Sequence, residues 1–228
     1  MVDGSPVARS YALDGLDEAA ARYLKPGRGV FVEAGAHDGL TQSNTAMLEF
    51  SRGWTGLLVE PIPELAMRCR AHRPGAIVEQ VALVSADYQG ESIEMTYCNR
   101  SSVVDGGRGS PVDDAAWVEK CRRLPDQLDV EPYRLSVPAR TLSSLLDDHG
   151  LGRVNLLSLD LEGYEASALA GLDFERHRPD LVLVEVSREP DAIAAALAPW
   201  YRHVADLSDH RDHDPPWYDA LYRARSRS

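Results

Sequence analysis

The sequence predicts an α/β fold in which helices flank a doubly wound, mostly parallel sheet. Three observations carry that expectation. Short apolar runs recur along the chain, helix-like segments separate them, and run after run ends on an acid, at Glu33, Glu60, Asp160 and Glu185. Parallel strands covered on both faces read as continuous apolar runs, because neither face meets water.

Leu16 to Leu24 carries acids early and apolar residues at helical spacing, and Lys25-Pro26-Gly27 stops it. Val30-Phe31-Val32 is the first strand. It ends on Glu33 and enters the turn Gly35-Ala36-His37-Asp38-Gly39, which leads to a helix from Ser43 to Phe50. Gly56 to Val59 is the second strand, ending on Glu60. Pro61-Ile62-Pro63 opens a helix from Glu64 to His72, where a proline's missing amide costs nothing. Ala76 to Val84 reads as the third strand. From Gln89 to Leu135 the alternation fails: Ile93 to Tyr97 reads as a strand, Ser101 to Pro111 is rich in glycine and serine, and Val112 to Leu124 has a weak helical pattern. So long an excursion is a lid or a subunit contact rather than filler, the latter implying a homodimer. A short strand at Val137 to Ala139 precedes a helix from Leu142 to Asp148, capped by Thr141 and stopped by Gly150. Val154 to Leu159 is a central strand, and Glu162 to Glu165 opens a helix running to about Ala170. Leu181 to Val186 is a further strand. A helix around Ile193 to Leu197 and short strands at Tyr201 to Ala205 and Trp217 to Tyr222 close the chain.

The first turn selects a ligand. A dinucleotide fingerprint needs three glycines, whereas here Glu33-x-Gly35-x-x-x-Gly39 places an acid before the turn. An acid there repels pyrophosphate and attracts an ammonium group, while Glu60 can accept the two hydroxyls of a ribose. S-adenosylmethionine carries both groups. Gly35, Ala36, Asp38 and Gly39 would form the turn around it, with Pro61 beside the ribose. Gln80, Val81 and Ala82 would wall the adenine. Ser43, Asn44 and Thr45 either cap the following helix or hold the ligand's carboxylate.

Asp160 and Glu185 end strands at the same edge and should face one cleft. Two converging carboxylates repel, so either one is protonated or a cation lies between them. The cation would be a hard divalent ion such as magnesium, or a basic side chain, with Arg188 near in sequence. His37, inside the glycine turn, is a second candidate for proton transfer. His210 and His213, in the polar stretch Asp206 to Pro216, are weaker candidates for metal or base.

At 228 residues and 44% hydrophobic, the chain is expected to form one domain, with an N-terminal helical extension (about 1–28) and an insertion (about 89–135). A net charge of −12 argues against nucleic acid and favours a small-molecule acceptor. The one strongly basic cluster, Arg223 to Arg227, is short enough to be a frayed end. Three widely spaced cysteines, no leader-like N-terminus and no stretch near the ~18 apolar residues of a membrane span lead to the expectation of a cytoplasmic protein.

The stretch from Glu33 to Pro63, then VPARTLSSLL, LLSLDLEGYEASALAGLDF and LVLVEV, resembles in order and spacing the FkbM family of S-adenosylmethionine-dependent methyltransferases. The resemblance runs from about Val30 to Val186. It implies a class I methyltransferase (Rossmann-like) fold with a seven-stranded sheet, and O-methylation of a sugar or glycoside hydroxyl in glycan, glycolipid or natural-product biosynthesis. It matches Glu33, Gly35, Gly39 and Glu60 to the cofactor motifs and Asp160, Glu162 and Gly163 to the family's D-x-E-G motif. His37 stands where many members have asparagine. On this reading Asp160, alone or through a metal shared with Glu185, draws the proton from the acceptor hydroxyl. The rivals are a methyltransferase for another small-molecule or protein acceptor and a non-catalytic binding domain that keeps the fold.

Overall fold

The computed structural model describes residues 9–123, 131–213 and 216–226. Its main sheet has seven strands. β1 (Val30–Ala34) and β2 (Thr55–Val59) flank α2 (Ala46–Arg52), and α3 (Pro63–His72) leads to β3 (Ala76–Glu79). β4 (Ala82–Leu83), β5 (Ser92–Tyr97), β6 (Val103–Val104) and β7 (Tyr133–Arg140) form a second, smaller sheet in the order β4-β7-β5-β6, with α4 (Pro111–Cys121) between β6 and β7. The chain returns through α5 (Leu142–Asp148), β8 (Leu156–Leu159), α6 (Glu165–Ala170), β9 (Leu181–Val186), α7 (Pro190–Leu197), β10 (Tyr201–His210) and β11 (Trp217–Ala224). The strand order is β10-β11-β9-β8-β1-β2-β3, with β9, β8, β1, β2 and β3 parallel and β11 antiparallel to both neighbours. A 3-10 turn (Leu13–Gly15) and α1 (Leu16–Ala21) precede the sheet.

Side chains alternate across the strands, and the two resulting faces build two cores. Val32, Leu57, Leu157, Val182 and Val184 pack with Leu142, Leu145, Leu169, Ile193 and Leu197 of α5, α6 and α7. Phe31, Leu58, Leu156 and Leu183 pack instead with Leu16, Ala20, Met47, Leu48 and Cys69 of α1, α2 and α3. Most of these side chains are fully buried, each contributing about 2 kcal/mol of transfer free energy.

Three expected elements differ. Ala76 to Val84 is not one strand: β3 stops at Glu79, and β4 leaves to pair with β7, Ala82 opposite Ala139. β7 is longer than the apolar residues around Val137 suggested, because pairing with β5 runs from Tyr97–Tyr133 to Ser92–Pro138. The polar residues Asp206 to His210, read as loop, extend β10. A hairpin strand at the sheet edge satisfies its backbone through one neighbour and leaves alternate side chains to water. The stretch Arg223 to Arg227 is also not simply frayed. β11 runs to Ala224, and the Arg223 and Arg225 guanidiniums bond backbone carbonyls; Arg227 lies outside the described residues.

Arg73 is the buried anchor beneath the glycine turn. Fully enclosed, it donates from Nε to Glu49 (2.7 Å), from Nη1 to the Gly39 carbonyl (2.9 Å) and Ser43 Oγ (3.1 Å), and from Nη2 to Thr45 Oγ1 (3.0 Å). Its guanidinium also lies 3.7 Å from Glu33 and 5.1 Å from the Phe31 ring centroid. Arg73→Met keeps much of the volume but leaves the buried Glu33 and the half-buried Glu49 without their cation. A loss of about 3–5 kcal/mol is expected, read from the urea midpoint, since removing one partner of a buried ion pair strands the other. A loss below about 1 kcal/mol would show that the cradle is not held by this charge.

Candidate functional site

Parallel pairing sets the C-terminal ends of the strands level. Ala34 is opposite Val59 and Leu159, and Leu159 is opposite Val184. One residue further along, Gly35, Glu60, Asp160 and Glu185 therefore form a row, and Asp219 of the antiparallel β11 joins it directly opposite Glu185. A cavity of about 290 Å³ opens above this row. Its walls come from the glycine turn, Glu60 and Pro61, Val81 to Leu83, Asp160 to Glu162, Glu185, Trp217 and Asp219. The 89–135 segment adds Met95, Asn99 to Ser102, Val104 and Trp117, and the N-terminal turn adds Leu13 and Leu16.

Of the residues expected to hold the cofactor, Gly35, Asn44, Glu60, Pro61, Val81 and Ala82 line this cavity, as do His37, Asp160 and Glu185. Glu33 does not. It sits two residues short of the row, level with Leu58 and Ser158, and its carboxylate accepts from Ser43 Oγ (2.9 Å), the Asn44 amide (2.7 Å) and Thr45 Oγ1 (2.5 Å). It shapes the turn from behind, outside the cavity lining. Ser43 belongs to the same network, its Oγ accepting the Ala46 amide at the start of α2. Asp38 is spent on Leu40 and Thr41, whose amides it accepts at 2.9 and 2.7 Å. Ala36, Gly39 and Gln80 also lie outside the cavity lining.

Gly35 has φ +81°, and a Cβ built there would stand 1.8 Å from the Asp160 carbonyl oxygen. Only glycine lets the two strand exits approach so closely. Glu60 accepts the His37 amide at Oε2 (2.8 Å) and the Ile62 amide at Oε1 (2.9 Å), so each oxygen keeps a lone pair for another donor. These features fit a nucleoside ligand: backbone close to the cavity and a carboxylate with two free acceptor sites beside it.

Asp160 and Glu185 are hydrogen-bonded to each other. Two carboxyl groups bond directly only if one holds a proton. Burial lifts both above the ordinary carboxylate range, Glu185 the further because Asp160, Glu162 and Glu165 add their charges to it, whereas Arg100 draws Asp160 back down. Glu185 is therefore the proton carrier and Asp160 the carboxylate. Among the described residues no group of three or more His, Cys, Asp or Glu is arranged to hold a metal ion. The contact between Asp160 and Glu185 fits a proton shared by the two carboxyl groups, the first of the two arrangements expected of this pair. Arg188 makes no ion pair with either acid among the described residues; its side chain runs across Gly163, where a Cβ would meet its Cδ at 2.7 Å.

The D-x-E-G turn is held from within. Glu165, fully buried, accepts the Leu161 and Gly163 amides at 2.7 and 3.1 Å, and Arg108 donates to the Glu162 carbonyl at 2.7 Å while stacking on Trp117. His37, with φ +51°, places Nε2 2.9 Å from Asn99 Oδ1, and its Nδ1 has no hydrogen-bond partner among the described residues. His210 stacks on Trp217 with ring centroids 3.8 Å apart, and its Nε2 lies 3.4 Å from Asp14. The polar stretch beginning at Asp206 thus ties the hairpin to the N-terminal turn. Its residues Asp214 and Pro215 lie outside the described residues.

Burial pushes Glu60, Glu165 and Asp219 each up to about 7. The native state keeps these protons over a range where an unfolded chain has released them. Their contribution to stability is therefore complete below the ordinary carboxylate range and is lost as pH rises through 7. The urea midpoint of the ligand-free protein is expected to fall steadily from about pH 5 to about pH 8. A midpoint that climbs over that interval would contradict these assignments.

Asp219, Asn99 to Ser102 and Trp117 escaped the sequence reading. An acid inside the apolar run Trp217 to Tyr222 was a signal for the first; nothing local marked the others.

Comparison with known proteins bears on this geometry. A family model described as the methyltransferase FkbM domain matches residues 33–214. No curated protein matches the chain by sequence. Among solved structures, a protein of the NADB-Rossmann superfamily from Streptococcus agalactiae superposes with a TM-score of 0.52 at 9% identity, covering 97% of this chain and 73% of that one. A TehB-like S-adenosylmethionine-dependent methyltransferase from Corynebacterium glutamicum gives 0.46 at 11% identity, covering 98% and 91%. The 1,6-didemethyltoxoflavin-N1-methyltransferase of Burkholderia thailandensis gives 0.46 at 11% identity, covering 93% and 78%.

Proposed function

We propose, from the premise that this chain belongs to the FkbM family of methyltransferases, that it methylates a hydroxyl oxygen of a small sugar or glycoside. The fold is the Rossmann-like class I fold and the methyl donor is S-adenosylmethionine. We read the chain as one methyltransferase domain with an N-terminal extension and an insertion at about 89–135. Because that insertion supplies cavity wall, the lid reading is favoured over a subunit contact.

The observation that carries the proposal is the proton-sharing pair of Asp160 and Glu185 at the floor of the cavity. A hydroxyl is a poor nucleophile until its proton is drawn away, and a carboxylate raised above its ordinary range is the better base. When bound, the cofactor supplies a methyl group already activated on a sulfonium, so the protein's share is alignment and proton removal. Gly35, Asn44, Glu60 and Pro61 would hold the amino-acid and ribose portions, and Val81 and Ala82 the base. Ala36, Asp38, Gly39 and Ser43 act by shaping the turn. Asp160 would take the acceptor's proton, with Glu185 holding it in the ionised form. His37, bonded to Asn99, would orient the acceptor through the insertion. No step is derived through magnesium.

The test is a panel of glycosides, phenols and amines assayed with methyl-labelled cofactor. The expected product carries its label in a methoxy carbon, and a chelator leaves the rate unchanged. Label on nitrogen would overturn the acceptor assignment, and abolition of activity by chelator would overturn the metal-free pair.

A further inference from the structure

The opposite rim of the sheet carries a concentration of positive charge that methyl transfer does not use. A concave basin of about 990 Å³ is lined there by the strand starts at Val30, Thr55 and Leu181 and the end of β11 at Ala224. Six cationic side chains, Lys25, Arg28, Arg153, Arg178, Arg223 and Arg225, face it against one carboxylate, Asp180. On a chain of net charge −12 this inversion needs a reason.

Pairing does not neutralise it. Asp180 is taken by Arg153 (3.1 Å) and Asn155 (2.8 Å). Arg178 donates to the Phe174 carbonyl and stacks on Trp200, Arg223 donates to the Tyr23 carbonyl, and Arg225 to the carbonyls of Ala198 and Tyr201. Backbone carbonyls fix a guanidinium's position and leave its charge intact. Three oriented guanidiniums with N–H groups to spare make a preorganised site for a multiply charged oxyanion, to which the planar fork is matched.

We propose that this basin binds a phosphate-bearing small molecule, separately from the methyl-transfer cavity. Its concavity selects the occupant: a compact anion can enter the basin and meet the cations on its walls, whereas a flat bilayer would meet only the rim.

Inorganic pyrophosphate is the probe, titrated calorimetrically into the full chain. Saturable binding is expected, with Lys25→Glu and Arg28→Glu together weakening it by about tenfold or more. Both positions are exposed and neither side chain has a hydrogen-bond or ion-pair partner among the described residues, so the fold should be unaffected, and methyl transfer should proceed at the unaltered rate. Asp160→Asn should leave pyrophosphate affinity unchanged, which separates this site from the cavity. No saturable binding, or equal binding by the charge-reversed variant, would overturn the proposal. So would retention on phosphatidylglycerol vesicles without pyrophosphate binding, which would make the patch a membrane contact.

Discussion

Gly35→Ala is expected to destabilise the protein by about 3 kcal/mol or more and to abolish measurable cofactor binding. Two independent costs meet at this position. A side chain at φ +81° is strained by about 1 kcal/mol. The larger cost is steric: the new Cβ would lie 1.8 Å from the Asp160 carbonyl oxygen, a backbone atom that cannot rotate aside. Relief requires β1 and β8 to part at their exits, where Asp160 N also bonds the Ala34 carbonyl. That displacement would move the turn that lines the cavity and the aspartate beside it. Gly150→Ala is the control, because Gly150 also has positive φ, at +62°, yet an added Cβ would meet nothing within 4 Å. It should cost the strain alone and leave cofactor affinity intact. Urea denaturation and calorimetry read both variants. If the two lose equal stability, close approach of the strand exits is not what Gly35 provides.

Asp160→Asn should lower the rate of methyl transfer by about 10²- to 10⁴-fold, the range spanned by general-base catalysis, with cofactor affinity changed little. The amide is nearly the same size and still accepts the proton that Glu185 offers, so packing survives while basicity is lost. The pair titrates as a unit, and its active form holds one proton. Activity should therefore rise as the first proton leaves, above the ordinary carboxylate range because burial raises both groups, and fall when the second leaves. Glu185→Gln should move the acid limb of that profile towards higher pH, since an amide is a weaker donor to Asp160 than the carboxylic acid whose hydrogen bond lowers it, and should remove the alkaline limb, since the second titrating proton is gone. An Asp160→Asn variant with the native rate would refute the base assignment, and a Glu185→Gln profile unshifted in pH would refute the shared proton.

Much of this was legible in one dimension. Continuous β-branched or leucine-rich runs announced β1, β2, β8 and β9, and Thr141 before Leu142 marked α5 through a cap that the side chain makes to Ser144. Three of the four strand-end acids stood where sequence placed them, because parallel strands must exit at one edge. Glu33 did not, since a difference of two residues in register puts it deep among Ser43, Asn44 and Thr45, and local sequence carries no register. The length of β10 was hidden for a related reason: an edge strand satisfies its backbone through a neighbour, so its composition can be as polar as a loop's.

The amino-acid sequence by itself determined the layered α/β architecture, the glycine turn, the family and the carboxylate-rich strand ends, all properties of spacing between near neighbours along the chain. Only the tertiary structure decided that Arg73 underpins the turn, that Asp219 joins the acidic row, that Asn99 to Trp117 wall the cavity, and that Asp160 and Glu185 meet as a buried pair. Those outcomes depend on which groups meet across tens of residues and on how much water is excluded when they do, and neither distance nor desolvation is written in any single segment.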